Sequence, residues 1–362
     1  KLAAHNGMKD VKKLKKQAAE YKNMAHKYKR NFGRAEQEQR KALFNEAHKI
    51  IREAGKTEQF LMDEILAKAE IITATLVGAN HYTVRNLKFE VVVIDEAGQA
   101  LEPACWIPIL KAQKVVLAGD HQQLSPTIKS AEAARNGLNN TLLEKCALRH
   151  PEAVVLLKEQ YRMHETIMGY SSGVFYQHQL KAHVSVAQHL LFEQDLPLLF
   201  VDTAGCGFNE KAEGTSTVNL EEAAFLIKHL TQFVAELEAH YSAENFPTIG
   251  LISPYKQQIL VLKEALASAD LQRYVDKISV NTIDSFQGQE RDIIYISLTR
   301  SNNNNEIGFL SDIRRMNVAL TRARKKLVVI GDSSTLSKLP FYADLIAYAE
   351  EKNAYQSAWE YV

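Results

Sequence analysis

The stretch "VVVIDEAGQA", Val91 to Ala100, decides how this chain folds. Val91 to Ile94 are all β-branched and show no polar alternation, so they read as a strand buried on both faces. Strands of that kind belong to parallel α/β sheets, whose sites gather at the carboxyl ends. Asp95 and Glu96 stand at that end. Two readings fit them. Asp95 holds a Mg²⁺ hydration shell while Glu96 orients an attacking water for phosphoryl transfer, or the strand simply meets an acidic helix cap.

Similar runs recur from Ile71 onward: "IITATL" (71–76), "KVVLAGD" (114–120), "AVVLL" (153–157), "PLLFVD" (197–202), "TIGLIS" (248–253), "KISVNT" (277–282), "DIIYISL" (292–298) and "KLVVIGD" (326–332). Helical patterns lie between them, which is the rhythm of an α/β fold. The polar residues that close the runs carry the chemistry. In "AGDHQQLSPT" (118–127), Gln123 lies on a loop where an amide can sense a terminal phosphate. In "KEQYRMHE" (158–165), Tyr161 offers a ring for a base and Arg162 a guanidinium for a phosphoryl group. "NVALTRARKK" (317–326) delivers Arg322 and Arg324 just before a strand. Each has a plainer alternative: a solvated loop amide, a rim salt bridge or a surface pair.

The first third is helical. Val11, Leu14, Ala18, Tyr21, Ala25, Tyr28 and Phe32 form one apolar seam; Leu43, Ala47, Ile50 and Ala54 form another. "NFG" (31–33) joins them as an antiparallel hairpin, with Gly33 supplying a left-handed cap. Gly55-Lys56-Thr57 imitates the end of a phosphate loop, but such a loop follows a strand and needs a glycine where Ile50 stands. Gly55 reads instead as a helix C-cap, with Lys56 near the negative end of the dipole and Thr57 capping a following helix. The basic faces (Lys9, Lys12, Lys13, Lys15, Lys16, Lys22, Lys27, Lys29, Arg30) either track phosphates or are solvated.

Composition bounds the rest. A chain of 362 residues, 46% hydrophobic, can bury more than one core. Its net charge of +1 neither demands nor excludes a polyanionic partner. Cys105, Cys146 and Cys206 lack zinc or disulfide spacing and read as packing residues. No run has the length of a membrane span or a signal peptide, which points to the cytosol, or the nucleus in a eukaryote.

In their order, these segments resemble the motifs of superfamily 1 helicases, class B, in the Upf-like branch of nonsense-mediated-decay and immunoglobulin mu-binding helicases. The resemblance runs from about Ile71 to Asp332. "DEAGQA" resembles motif II, "GDHQQLSPT" motif III, "QYRMH" motif IV, "VNTIDSFQGQERD" motif V and "NVALTRAR" motif VI. His121 and Ser125 depart from it, at positions the family often fills with proline. The resemblance implies Asp95 for Mg²⁺, Glu96 for the attacking water, Gln123 for the γ-phosphate, and Arg162 and Arg322 as arginine fingers. It implies nucleotide contacts by Tyr161, Gly288 and Glu290. It implies a single-stranded nucleic-acid track through Thr73, Thr75, Pro126, Thr127, Ser253, Pro254, Tyr255, Thr282 and Ser285. Hydroxyls and amides suit that task because they grip phosphates without reading bases; for Thr75 a strand-end cap is the preferred reading.

The expected fold is α/β: two RecA-like parallel-sheet P-loop NTPase domains, the first incomplete, with an α-helical hairpin stalk. Residues 1–66 form the stalk, 67–150 the rest of the first domain, and 151–362 the second domain with a helical tail. Nothing before "TATL" matches a Walker A loop, which in the family precedes such a stalk. The expectation is a chain starting after that loop and silent as an ATPase by itself. The parent protein is expected to be a monomeric motor using ATP and Mg²⁺ to move 5′-to-3′ on single-stranded DNA or RNA. The alternative is a non-catalytic nucleic-acid-binding scaffold of helicase-like fold. Another kind of hydrolase is set aside, since no nucleophile, base and orienting group occur together.

Overall fold

The computed structural model describes residues 5, 7–27, 33–214 and 216–361. The chain forms two compact units, one of Lys1–Ile94 with Glu102–Leu117, the other of Asp95–Leu101 with Ala118–Val362. The loops that leave the first two strands therefore group with the larger unit, whereas the sequence reading divides the chain near residue 150.

The smaller unit opens with helices α1 (Met8–His26) and α2 (Arg34–Ala67). They run antiparallel: Met8, Val11 and Leu14 pack with Ala54 and Leu61, Lys15 pairs with Glu58, and His26 meets Phe44 edge-on. Val11, Ala18, Ala25, Ala47, Ile50 and Ala54 of the two expected seams are buried. Tyr28, Lys29, Arg30, Asn31 and Phe32 lie outside the described residues.

Two glycine readings are corrected. Gly33 is not a left-handed cap: its φ is −100°, and it starts α2, with its N–H donating to Glu36 Oε2. Gly55 does not end a helix, because α2 runs through it without a break. The reason is the seam, which continues past Ala54 to Leu61 and buries both against α1. That burial outweighs the roughly 1 kcal/mol that an interior glycine costs. Thr57 caps nothing; its hydroxyl donates back to the Glu53 carbonyl at 3.2 Å.

Strand β1 (Phe89–Ile94), helix α3 (Glu102–Ile109) and strand β2 (Ala112–Leu117) follow. β1 and β2 pair in parallel, with Val92 opposite Val115. Val91, Val93, Val115 and Val116 stay exposed on a sheet type that ordinarily buries both faces. Cys105 of α3 is buried, and all three cysteines are free.

Two expected strands do not form. Residues 71–76 are irregular, and residues 154–157 extend from a 3₁₀ turn without a ladder. Ile71 and Val155 are each 82% exposed. β-Propensity is a preference for packing on a pleated surface, and runs that meet no neighbouring strand have nothing to express it against.

In the larger unit, short helices α4 (Ala131–Ala133) and α5 (Leu142–Arg149) lead to strand β3 (Glu159–Gln160), helix α6 (Glu165–Tyr176), strand β4 (Lys181–Ala182) and helix α7 (Val184–Ala187). The main sheet begins with β5 (Leu198–Asp202), interrupted by the hairpin β6 (Lys211–Glu213) and β7 (Ser216–Val218). It continues through α8 (Leu220–Leu237), β8 (Ile249–Ser253), α9 (Lys256–Ser268), β9 (Ile278–Thr282), β10 (Arg291–Ser297), α10 (Ile313–Leu320) and β11 (Ala323–Gly331). The tail adds α11 (Ser333–Leu336), α12 (Pro340–Glu351) and β12 (Tyr355–Ser357). The sheet order is β12-β5-β11-β10-β8-β9, parallel throughout. The tail, read as helical closure, thus also provides an edge strand.

Alternation along the strands explains the unbroken apolar runs. Phe200, Ile252, Ile294 and Val329 face α6 and α12 residues such as Ile167, Met168, Phe341 and Leu345. Val201, Leu251, Tyr295 and Val328 face Leu226, Leu230 and Leu262 of α8 and α9. Both faces are covered, so neither can be polar.

One buried region is polar. Asn219, Glu222, Ser253, Gln258, Ser297 and Thr299 are wholly enclosed at the carboxyl ends of β8 and β10. Gln258 spans Asn219 and Ser297, while Glu222 accepts from the Ser297 hydroxyl and the Thr299 N–H. Glu222 Oε2 has no partner, and burial pushes the carboxyl pKa up to about 7.

A methyl at Gly55 meets nothing within 4 Å, so Gly55→Ala should raise stability by about 0.5–1 kcal/mol in chemical unfolding; a left-handed cap would make it fall. Glu222 is protonated in both states below its ordinary value of 4.5, and above it the unfolded chain ionises while the fold keeps the proton until about 7. Its stabilising contribution is therefore lost as pH rises through that window. Relative to wild type, Glu222→Gln should gain roughly 2–3 kcal/mol of stability between about pH 5 and 8, read from urea melts across pH.

Candidate functional site

Beyond Ile94 the backbone turns sharply. Glu96 adopts φ 51° and ψ 38°, a left-handed conformation uncommon outside glycine. Asp95 Oδ1 accepts from the Glu96 N–H at 3.0 Å, and Glu96 Oε2 accepts from Gln99 Nε2 at 2.7 Å. The Ala97 N–H donates to the Ala118 carbonyl at 2.8 Å. A Cβ on Gly98 would stand 2.6 Å from the Asp120 carbonyl, and one on Gly119 would stand 2.8 Å from the Ala97 nitrogen. The "DEAG" and "AGD" turns meet backbone to backbone, and only glycine permits that approach.

Gln123 follows on the second turn, where its Nε2 donates to Asp120 Oδ2 at 2.8 Å and its Oε1 faces Arg322 Nη2 at 3.5 Å. Arg322 is 3% exposed, just past α10. Its Nε donates to the Val318 carbonyl, Nη1 to the Gln289 carbonyl and Nη2 also to the Thr321 hydroxyl. Burial first, and the like charge of Arg162 second, lower its pKa to about 10, against the pull of Glu96 and Glu290. It stays cationic at neutral pH.

Arg162 comes from the turn after β3. Gln160 Oε1 accepts from the Arg162 and Met163 N–H groups and fixes that turn. The Arg162 guanidinium donates to Glu290 Oε2 at 2.7 Å and to the Thr321 carbonyl at 3.1 Å. Glu290 also pairs with Arg324 at 3.7 Å. Glu96, Gln123, Arg162, Glu290 and Arg322 are thus parts of one electrostatic group, all in the larger unit.

Sequence reasoning missed three members. Tyr176 donates its hydroxyl hydrogen to Asp120 Oδ2 and accepts from Asn317 Nδ2 at 3.0 Å; Asn317 Nδ2 also donates to the Gln122 carbonyl at 3.0 Å. Asp120 was legible as a strand-end carboxylate in "AGD", and Asn317 opens "NVALTRAR". Tyr176 carried no signal.

The other expected residues are dispersed. Tyr161 is 62% exposed, with one face stacked on His183 at 4.4 Å between centroids. Gly288 has φ +73° and open space around its Cα, beside the loop in which Thr282 and Ser285 share a hydroxyl contact at 3.2 Å. Thr127 is exposed and Pro126 buried. Thr73 and Thr75 are exposed in the smaller unit, and Thr75 accepts from the Gly78 N–H at 3.0 Å, a local cap. Ser253 belongs to the buried polar cluster, where its hydroxyl meets Thr299 at 3.1 Å. Tyr255 is also buried and accepts from the Phe309 N–H at 3.2 Å. Of that trio only Pro254 presents its side chain to solvent, in part.

Comparison with known proteins agrees with the family resemblance. Residues 138–334 match a family described as an AAA domain, and residues 3–131 match another of the same description. The chain is 39% identical over 336 residues to the DNA-binding protein SMUBP-2 of Rattus norvegicus, covering 88% of this chain and 33% of that protein. It is 35% identical over 317 residues to an uncharacterized ATP-dependent helicase of Methanocaldococcus jannaschii, covering 83% of this chain and 45% of that one. It is 37% identical over 302 residues to a regulator of nonsense transcripts 1 homolog of Neurospora crassa, covering 80% and 27%. The chain spans about a third of the length of the first of these relatives. It belongs to the AAA-domain helicases of superfamily 1, class B, in their Upf-like branch.

Proposed function

We propose that the larger unit carries the water-orienting and arginine side of an ATP-dependent motor that moves 5′-to-3′ along single-stranded DNA or RNA. The observation that supports this best is the convergence of the Gln123 amide on the buried Arg322 guanidinium, groups 199 residues apart. A buried cation facing an amide, with a second arginine held nearby by Glu290, is the donor set that charge on a transferring phosphoryl group requires.

The residues fit the nucleotide and its metal on that side. Among the described residues no three or more histidine, cysteine or acidic side chains form a metal cage, and Mg²⁺ carried on phosphates needs only one or two carboxylates. Asp95 is exposed and would hold it; Glu96, braced by Gln99, would orient the attacking water and take its proton. When bound, Mg²⁺-ATP supplies the bond to be broken and a Lewis acid for its oxygens. Gln123 senses the terminal phosphate, while Arg162 and Arg322 neutralise charge. Glu290 is committed to Arg162 and Arg324, so a role beside the ribose requires it to leave one of them.

Relatives named as a DNA-binding protein, an ATP-dependent helicase and a regulator of nonsense transcripts support nucleic acid as the track. Within the larger unit Thr127, Pro254, Thr282 and Ser285 offer sequence-blind contacts, and the exposed ring of Tyr161 offers a face for the adenine. The helix pair α1–α2, with its lysines outward, would serve as the stalk.

The test is ATP turnover by the full-length protein, with and without single-stranded DNA and RNA. Wild type should be stimulated by the strand, and Glu96→Gln should lose at least about 100-fold in kcat while still binding it. Strand binding by a wild-type protein that never hydrolyses ATP would instead favour the scaffold.

A further inference from the structure

Tyr176 is the last residue of α6 and lies outside every motif that the sequence displays. Its hydroxyl nevertheless sits at the junction of three segments: Asp120 on the loop after β2, Asn317 in α10, and α6 itself. Hydrogen-bond directions there are determined by chemistry. The Asp120 carboxylate only accepts, so Tyr176 must donate to it and must receive from Asn317. The Gln122 carbonyl also only accepts, so the Asn317 amide must turn Nδ2 toward both groups. That leaves Asn317 Oδ1 buried and without a partner, in a residue with no solvent exposure. A buried orphan acceptor is costly and persists where surrounding bonds over-determine the side chain.

The same Asp120 Oδ2 that Tyr176 addresses also accepts from Gln123 Nε2 at 2.8 Å. The Gln123 amide therefore has one end on Asp120 and the other toward Arg322, and Tyr176 with Asn317 holds Asp120 in place. Asn317 lies on the helix that delivers Arg322. A shift of this carboxylate would turn the Gln123 amide away from the guanidinium.

We propose that Tyr176 is a positioning residue: through Asp120 it sets the orientation of Gln123 and couples that sensor loop to the helix bearing Arg322. The inference rests on the hydrolytic reading of the site. Tyr176 touches no reacting atom, so its removal leaves nucleotide affinity intact and slows turnover, because the sensor amide loses its register.

The experiment is a double-mutant cycle in the full-length protein at saturating single-stranded DNA: wild type, Tyr176→Phe, Gln123→Ala and the double variant, with Glu96→Gln as the hydrolysis control. Tyr176→Phe should lower kcat about ten-fold and leave KM for ATP within about two-fold. In the Gln123→Ala background the same change should cost nothing further, since both act through one amide. Asp120→Asn, which keeps the shape and removes the charge, should reproduce the kcat loss even if Tyr176→Phe folds poorly. An unchanged kcat for Tyr176→Phe, or an equal loss in both backgrounds, overturns the coupling and leaves the hydrolytic reading standing, provided Glu96→Gln is dead. A wild-type protein as silent as Glu96→Gln overturns both.

Discussion

A guanidinium enclosed in protein needs its hydrogen bonds met, or the fold that encloses it cannot persist. Arg322 directs its N–H groups at the carbonyls of Val318 and Gln289, the Thr321 hydroxyl and the Gln123 amide. Those four acceptors sit on three pieces of chain: α10 with the residue after it, the loop before β10, and the turn after β2. The residue thereby holds these segments in register and keeps a full positive charge at their meeting point. Arg162 stands nearby as a like charge, tolerable because Glu290 and the Thr321 carbonyl take up its donors. Glu290 and Arg322 stand immediately before β10 and β11, so this charge is concentrated at the amino ends of those two strands.

The carboxyl ends of the strands are polar inside as well as out. Beneath the Ser253–Tyr255 turn, Asn219, Glu222, Gln258, Ser297 and Thr299 bond to one another with no solvent exposure. Thr299 holds φ 70°, an unusual angle for a β-branched residue. A buried polar network of this kind specifies one loop geometry, because displacing any member strands its partners. The close approach of Gly98 and Gly119 to facing backbone does the same for the "DEAG" and "AGD" turns. The glycine contact thereby fixes the backbone beside Asp95 and Glu96, whose side chains remain exposed.

Much of this was legible in the residues. The runs that became β5, β8, β10 and β11 are apolar without alternation because those strands of the larger sheet are covered on both sides, whereas β1 and β2, with the same kind of run, leave valines exposed in their own two-stranded sheet. The residues after the runs of β1 and β2 supplied Glu96 and Gln123, while Arg162 follows β3 and Arg322 stands just before β11. "IITATL" and "AVVLL" have the same composition and form no strand, since composition states a preference and a ladder needs a neighbour. Gly55 looked like a helix end because the local rule is correct for an unsupported helix, and the support comes from Val11 and Met8.

The sequence by itself determined the fold class, the order of the motifs and the chemical character of each loop, all of which depend on residues near one another in the chain. Tertiary structure alone decided which groups meet. Asp120 and Tyr176 are 56 positions apart, Tyr176 and Asn317 are 141, and Gln123 and Arg322 are 199. It also withdrew Ser253 and Tyr255 from the surface and committed Glu290 to two arginines. Periodicity and spacing report the conformation a short segment prefers; a hydrogen bond between distant segments depends on how the whole chain closes, and no local pattern encodes that distance.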